Sequence, residues 1–307
     1  MKLSIVTTLY KSSKYIDEFY SRISNEAKKI TNDYEIIFVD DGSPDDSLKK
    51  AIKLCGKDKK VSVIELSRNF GHHKAIMVGL KETKGEYIFL IDSDLEEVPE
   101  LLGNFWSELA NLQNIDVVYG LQEKRKGGFF ERISGYFYFT FFNYFSDVKI
   151  PRNLLTIRLM RKNFVDNLVL FQESELVFSV INALNGFNSK PLKVAKKSHS
   201  PSSYSLRMKL KLLFDTIVSA TPKPLWIVFN FGLIVTTLST IYIFYLIYSK
   251  FVDNSIIDGW TSVMVLISFF GGLIIFFLGV IGIYLSKIFI EVKQRPYSTI
   301  KKIHTNS

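Results

Sequence analysis

A chain of 307 residues with a formal net charge of +9 has room for one large domain or two small ones. Its single cysteine, Cys55, excludes internal disulfides and cysteine-rich metal sites and makes a reducing compartment the default. The basic balance points to nucleic acid, a membrane surface or an anionic substrate; the rest of the sequence favours the last two, and no nucleic acid is expected.

Residues 1–120 alternate strand-like and helix-like runs. Met1-Lys2-Leu3-Ser4-Ile5-Val6 enters a strand directly, without a signal-peptide layout. Strands are expected over Leu3–Leu9, Glu35–Val39, Val61–Leu66, Tyr87–Ile91 and Asp116–Leu121. Helices are expected near 14–30, 44–56, 73–83 and 98–112, with Cys55 on a buried helix face. Strand and helix in turn, with short connections, imply an α/β fold whose parallel sheet is covered on both faces.

Polar clusters fall where the first strands end. Strand one runs out at Thr7-Thr8-Leu9-Tyr10 and strand two at Asp40-Asp41-Gly42-Ser43-Pro44-Asp45-Asp46. The second reads as an Asx turn into a helix with Pro44 at its first position. One Asp would cap that helix, leaving the other free to accept hydrogen bonds from a base or ribose. Strand three runs into Ser67-Arg68-Asn69-Phe70-Gly71-His72-His73-Lys74, where Arg68 and a helix starting near Gly71 offer donors to phosphate. His72 and His73 read as ordinary surface or core histidines.

The fourth end, Tyr87-Ile88-Phe89-Leu90-Ile91-Asp92-Ser93-Asp94-Leu95-Glu96-Glu97, organises the chain. Its apolar run is too short for a helix core and fits a buried strand. Asp92 and Asp94 then lie at the strand's C-terminal edge, where ligands bind in open α/β sheets. Such a pair can share a divalent cation whose other ligands are phosphate oxygens and water. A helix N-cap followed by acidic first-turn residues before Pro99 fits the same letters. Carboxylates at 40–41 and at 92–94 repel unless cations or N–H donors sit between them.

From Gly127 to Phe145 the chain is dense in aromatics, flanked by Lys124, Arg125, Lys126 and Arg132. It reads either as a platform at a bilayer interface or as a core helix under the sheet. Leu206, Leu210, Leu213, Phe214 and Ile217 share one helical face, with Arg207, Lys209 and Lys211 elsewhere, a basic amphipathic helix suited to a cytoplasmic interface. Leu225 to Tyr248 and Thr261 to Ser286 are uncharged. At about 1.5 Å per residue each reaches roughly 36 Å or more, enough to cross a hydrocarbon core of about 30 Å. The short connection carries Lys250, Asp253 and Asp258, while the other side carries Arg207, Lys209, Lys211, Lys223, Lys287, Lys293, Arg295, Lys301 and Lys302. The positive-inside rule then places both termini in the cytoplasm. Gly271, Gly272, Gly279 and Gly282 leave close helix packing and a homo-oligomer open.

The segments Val39-Asp40-Asp41-Gly42-Ser43, Leu66-Ser67-Arg68-Asn69-Phe70-Gly71 and Asp92-Ser93-Asp94-Leu95-Glu96 resemble the signatures of family 2 glycosyltransferases with the GT-A fold. Their order, with the twin C-terminal spans, is most similar to the membrane-bound polyprenyl-phosphate glycosyltransferases, the bactoprenol glucosyltransferase and dolichol-phosphate mannose synthase group. Ile150-Pro151, Ile157-Arg158-Leu159-Met160 and Ser202-Ser203-Tyr204 fit the group more loosely.

The resemblance implies a cytoplasmic GT-A domain with a mostly parallel sheet over 1–200, a juxtamembrane amphipathic helix over 201–224, a two-helix membrane hairpin over 225–286 and a cytoplasmic tail over 287–307. The protein would be a multi-pass protein of the inner membrane. Thr8, Tyr10, Asp40, Asp41, Arg68 and Asp92 would bind the nucleotide, UDP favoured, with Asp40 beside the ribose. Asp92 and Asp94 would meet Mg2+ or Mn2+ and the diphosphate. Arg158 would lie near phosphate, with Arg125, Arg132, Ser202 and Tyr204 at the acceptor phosphate. Glu173 matches an acidic position after that arginine. In place of the family's P-x-Y-N-E this chain has Thr8-Leu9-Tyr10-Lys11-Ser12, and in place of Gly-Asp before Phe-Arg it has Leu155-Thr156 before Ile157-Arg158. The Q-x-x-R-W of processive synthases is missing.

Transfer from a nucleotide sugar needs a neutralised leaving group, an acceptor held in line behind C1, and exclusion of water. A sugar hydroxyl must lose a proton to a base. A phosphate monoester, with a second pKa near ~6, is largely a dianion at neutral pH and attacks without one. The missing acid at position 156 therefore suits a polyprenyl-phosphate acceptor, reached at the cytoplasmic leaflet by an inverting hexosyltransferase. Transfer to a glycan hydroxyl and a catalytically silent membrane scaffold are the alternatives. A nicotinamide oxidoreductase is disfavoured because no G-x-G-x-x-G follows strand one.

Overall fold

A computed structural model of the protein describes residues 1–112, 114–122, 140, 151, 153–173, 176–195, 223–253 and 259–306. In chain order its elements are β1 (Leu3–Leu9), α1 (Ile16–Ile30), β2 (Tyr34–Asp40), α2 (Ser47–Cys55), β3 (Val61–Leu66), α3 (His72–Lys81), β4 (Tyr87–Leu90) and α4 (Leu101–Ala110). There follow β5 (Val117–Gln122), β6 (Leu154–Arg161), α5 (Lys162–Leu168), α6 (Phe178–Leu184), β7 (Ser189–Val194), α7 (Lys223–Asp253), α8 (Trp260–Val292) and β8 (Ile300–Thr305). One compact unit holds β1–β7, α1–α6 and, from the far end of the chain, β8; a second holds α7 and α8.

The eight strands form one sheet in the order β7-β5-β6-β4-β1-β2-β3-β8. β1 lies between β2 and β4, parallel to both, and β2 is parallel to β3. β6 runs antiparallel to β4 and β5, while β8 runs antiparallel to β3. The chain moves outward from β1 through β2 to β3 and then returns to place β4 on β1's other side. That reversal puts a topological switch point between β1 and β4, where open α/β sheets form their ligand crevice.

Alternation along each strand sends apolar side chains to two faces. Ile5, Phe38 and Phe89 join Phe19 of α1 and Phe105 of α4 on one face, with edge-to-face pairs Phe19–Phe38 at 6.1 Å and Phe89–Phe105 at 5.8 Å. Val6, Val39 and Leu90 meet Ile76, Leu80, Phe164 and Ile181 on the other. All of these are buried, each Phe contributing about 1.5–3 kcal/mol. A Cβ on Gly79 would lie 2.5 Å from Val6 Cγ1 and 2.8 Å from Val39 Cγ2, so glycine sets how closely α3 packs on the sheet. Cys55 closes α2 in a buried position, as expected.

Two expectations shift. The helix after β2 begins at Ser47 and not at Pro44, because Asp45 Oδ1 accepts from both Ser47 N (3.2 Å) and Ser47 Oγ (2.5 Å) and stops the turn there. The segment 287–307, expected as a tail, continues α8 to Val292 and then supplies β8. That strand carries Lys301 and Lys302 and little apolar alternation, so a reading by periodicity passes over it.

In the second unit, α7 and α8 contain stretches of mean hydropathy 1.7 (Leu225–Tyr242) and 2.5 (Phe269–Val292), long and apolar enough to cross a membrane. The two helices touch through Phe231 and Phe277, 6.1 Å between ring centres. Gly271, Gly272, Gly279 and Gly282 face open space among the described residues. The aromatic stretch 127–145, Thr140 apart, and the amphipathic stretch 204–220 lie outside the described residues.

Candidate functional site

β4 ends at Leu90, and the chain then runs without regular structure until α4 begins at Leu101. Asp92 and Asp94 therefore do not cap a helix. Asp94 Oδ1 instead accepts from Glu96 N at 2.9 Å in a tight turn, with Leu95 at a φ of 59°. Ser93 Oγ donates to Thr8 O at 2.9 Å and fastens this turn to the end of β1 across the switch point.

His72, the first residue of α3, completes the crevice. Its Nδ1 lies 3.0 Å from Thr8 Oγ1 and its Nε2 3.5 Å from Asp92 Oδ1. A Thr8 hydroxyl donating to Nδ1 leaves the imidazole proton on Nε2, facing Asp92. The sequence reading set His72 aside. Its position directly after a strand-end loop, at a helix start, was the available signal.

Asp40 and Asp41 are almost wholly buried. The Asp41 carboxylate accepts from Phe70 N (2.7 Å) and Gly71 N (3.0 Å), and Asn69 Nδ2 donates to Asp41 O (3.1 Å). Asp41 thus shapes the 67–71 loop with the oxygens that the resemblance offered to a nucleobase. Gly42, at φ +65°, permits the approach: a Cβ there would stand 2.5 Å from Asn69 N. Asp40 Oδ2 accepts from Ser43 N at 3.2 Å, whereas its Oδ1 is buried with no hydrogen-bond partner among the described residues. Burial pushes both carboxyls up from their ordinary pKa, against the N–H donors that pull them down.

Arg158 sits on β6 directly opposite Leu90 of β4 and is 3% exposed. Its Nε donates to Thr156 O (2.9 Å), its Nη2 to Leu155 O (3.1 Å), and its guanidinium lies 4.5 Å from the Phe178 ring centre. Burial drives its pKa down to about 10, with Asp92 and Glu97 pulling the other way. Glu97, read from sequence as a first-turn acid, is fully buried. Arg158 is thus a charge set within the wall, in electrostatic reach of Asp92 and Glu97, and two of its N–H groups are committed to its own strand.

Tyr10 is half exposed beside Lys11, whose backbone is left-handed (φ 58°), and Arg68 is exposed with its guanidinium over the Phe70 ring. Glu173 lies half-buried on the connection between α5 and α6. Arg125, Arg132, Ser202 and Tyr204 are outside the described residues. No group of three or more His, Cys, Asp or Glu side chains gathers to hold a metal among the described residues. Asp92 and Asp94 are hard oxygen donors, each partly open, and suit a cation that takes its other ligands from diphosphate and water.

The profile of Glycosyl transferase family 2 matches residues 4–169, more than half of the chain, with the ends of strands β1 to β6. The chain belongs to glycosyl transferase family 2. This glycosyltransferase is 43% identical over 304 residues to a Mycobacterium tuberculosis protein named among the glycosyltransferases, covering 99% of this chain and 89% of that one. It is 28% identical to the prophage-derived bactoprenol glucosyl transferase of Shigella flexneri, over 99% of both chains. Its fold is GT-A. Glucosyl-3-phosphoglycerate synthase of Mycobacterium tuberculosis, solved with Mn2+, UDP and phosphoglyceric acid, superposes with a TM-score of 0.50 at 16% identity, covering 71% of this chain and 76% of that one.

Proposed function

We propose that this glycosyltransferase moves a hexose-type sugar, with inversion, from a nucleotide donor (UDP-sugar favoured) to polyprenyl phosphate at the cytoplasmic leaflet. The observation that carries the reading is β8. Strand β8 follows α8 in the chain and pairs with β3 of the catalytic sheet. If α7 and α8 cross the membrane, the chain crosses and returns, with both ends of the hairpin on the catalytic side. An acceptor for a site so tethered is the headgroup of a lipid in that leaflet. The full-length similarity to a bactoprenol glucosyl transferase, apolar helices included, supports a polyprenyl phosphate as that lipid.

In this reading the nucleotide lies over the switch point. Asp40 Oδ1, a buried acceptor with no partner among the described residues, takes a ribose hydroxyl or base N–H, and Tyr10 packs against the base. Arg68 and the N-terminus of α3 meet phosphate oxygens. Asp92 and Asp94 would hold Mg2+ or Mn2+, which supplies Lewis-acid neutralisation of the diphosphate. The acceptor oxygen forms its bond to C1 as the bond from C1 to the diphosphate breaks, and the electron pair leaves with the nucleotide. A phosphate dianion has no proton to give up, so Thr156 in place of a carboxylate costs this reaction nothing.

The test uses full-length protein in detergent or nanodiscs with radiolabelled nucleotide sugars and undecaprenyl phosphate. Label in a mild-acid-labile lipid is the expected result. Label found only in an added glycan acceptor would overturn the acceptor assignment, and donor binding without transfer would favour a silent scaffold.

A further inference from the structure

We infer that the C-terminal strand β8 is a working part of the donor site, and that Glu65, Lys301 and His304 are positioning residues for the nucleotide. The inference rests on the reading above that the 67–71 loop and the Asp40–Asp41 turn receive the donor.

β3 delivers that loop, and β8 fixes how β3 ends. The ladder pairs Ser62 with Thr305, Val63 with His304, Ile64 with Ile303 and Glu65 with Lys302, then slips between Glu65 and Leu66 so that Leu66 faces Ile300. The irregularity falls at the point where β3 turns into the loop, where bulges re-aim a chain. Contact continues past the strand, since Ser67 N donates to Thr299 O at 3.0 Å. Beneath it, the buried Glu65 carboxylate joins two residues of β8: Oε1 takes Lys301 Nζ at 2.5 Å and Oε2 meets His304 Nε2 at 3.1 Å. Two more bonds fasten β8 to the end of α2, from Cys55 Sγ to His304 O (3.4 Å) and from Asn306 Nδ2 to Gly56 O (3.2 Å). Tyr297 packs on the same apolar cluster as Phe70.

From the loop the contacts pass straight into the site. Phe70 N and Gly71 N hold the Asp41 carboxylate, and the Gly42 turn lies against the Arg68–Asn69 backbone with no room for a Cβ. A shift of β3's end therefore moves the donor loop and the Asp40–Asp41 turn together. Only Lys293–Thr299 separate β8 from α8, so the strand shaping the donor loop is also the first structure after the membrane-length helix. An edge cover alone, which keeps β3 from pairing with other chains, would not require a buried carboxylate gripped from two positions of β8.

The experiment measures UDP binding by calorimetry, together with donor KM, acceptor KM and kcat, on full-length protein. Glu65→Gln and Lys301→Ala/His304→Ala are expected to weaken UDP binding and raise donor KM about tenfold, the effect of losing one charged hydrogen bond. Acceptor KM and kcat should hold. Lys301→Arg should recover binding relative to Lys301→Ala, and Lys302→Ala, which removes a β8 lysine with no ion pair among the described residues, should match wild type. Wild-type UDP affinity in the Glu65 and Lys301/His304 variants, or lower melting temperature and kcat at unchanged donor KM, would overturn the inference and leave β8 as an edge cover. A wild-type protein that binds no nucleotide would overturn the donor-site reading itself. Truncation after Gln294 should lose UDP binding; the point variants decide the matter if the shortened chain does not fold.

Discussion

Arg158 gives the sharpest test of how the crevice is held together. Its pKa is driven down to about 10, so burial outweighs the combined pull of Asp92, Glu97 and Tyr119. At 1.36 kcal/mol per unit, keeping the guanidinium charged in this wall costs about 3 kcal/mol relative to water. Arg158→Met removes that cost but withdraws a positive charge in electrostatic reach of Asp92 and the buried Glu97, a loss whose ceiling is the about 3–5 kcal/mol of a buried pair in contact broken on one side. In a domain of this size that ceiling is a drop of roughly 6–20 °C in melting temperature. Replacing both members removes the buried charge altogether. Arg158→Met/Glu97→Leu should therefore melt well above the single variant, near wild type, while both fail to transfer sugar because Asp92 has lost its backing charge. Differential scanning fluorimetry in detergent and a radiolabel transfer assay read the two quantities. A double variant no more stable than the single one, or an active Arg158→Met, would refute the reasoning.

Asp94→Ala should abolish transfer while leaving the melting temperature within a few degrees of wild type, and excess EDTA should do the same to the unmodified protein; substantial turnover in EDTA would count against the metal role. Gly42→Ala places a methyl 2.5 Å from Asn69 N at a φ of +65°; at about 1–3 kcal/mol for such a strained residue, donor KM should rise at least several-fold. Glu65 is held below its ordinary pKa of 4.5 by the Lys301 hydrogen bond against burial, with His304 adding to it. Its folded pKa is depressed, so its contribution to stability is present above about pH 4.5 and lost as pH falls through the folded value. The melting-temperature gap between wild type and Glu65→Gln should close over that window, and a gap independent of pH would exclude the ion pair. In the proposed reaction Thr156→Asp would set a negative charge by the acceptor: it should slow transfer to a phosphate dianion, whereas faster transfer would indicate a hydroxyl acceptor in need of a base.

What could be read from sequence followed apolar patterning. β1, β3 and β4 are rich in Ile, Val and Leu and mostly buried, so their positions and the helices between them were plain, and the strand-end carboxylates followed. β6, β7 and β8 were not among the expected strands; β6 lies inside the sheet beyond the regular alternation of residues 1–120, and β7 and β8 escaped because edge strands need only one partner. Ser189–Val194 alternates exposed residues around Pro191, and Ile300–Thr305 is mostly exposed. Glu97 looked like a solvated helix acid because two glutamates follow the acidic pair, yet no helix starts there, and the turn folds Glu97 inward. His72 is a single letter in a helix start, and only the convergence of β1 and β4 gives it two partners.

The same convergence answers the repulsion that four strand-end carboxylates would otherwise create. Each is met by a different device. Asp41 is held by two backbone N–H groups, Asp92 has His72 in front and the buried Arg158 charge in reach, and Asp40 has one oxygen on Ser43 N. Asp94 receives one N–H, from Glu96, and among the described residues no cationic side chain pairs with it. Compensation from the described residues is thus thinnest at Asp94 and at the inward oxygen of Asp40, and in the proposed reaction the donor and its cation would supply the rest. A fold that neutralised all four carboxylates itself would have no electrostatic reason to bind a cation there. In the proposed reaction, balancing two and leaving two would tie the last step of assembling the site to the arrival of the donor.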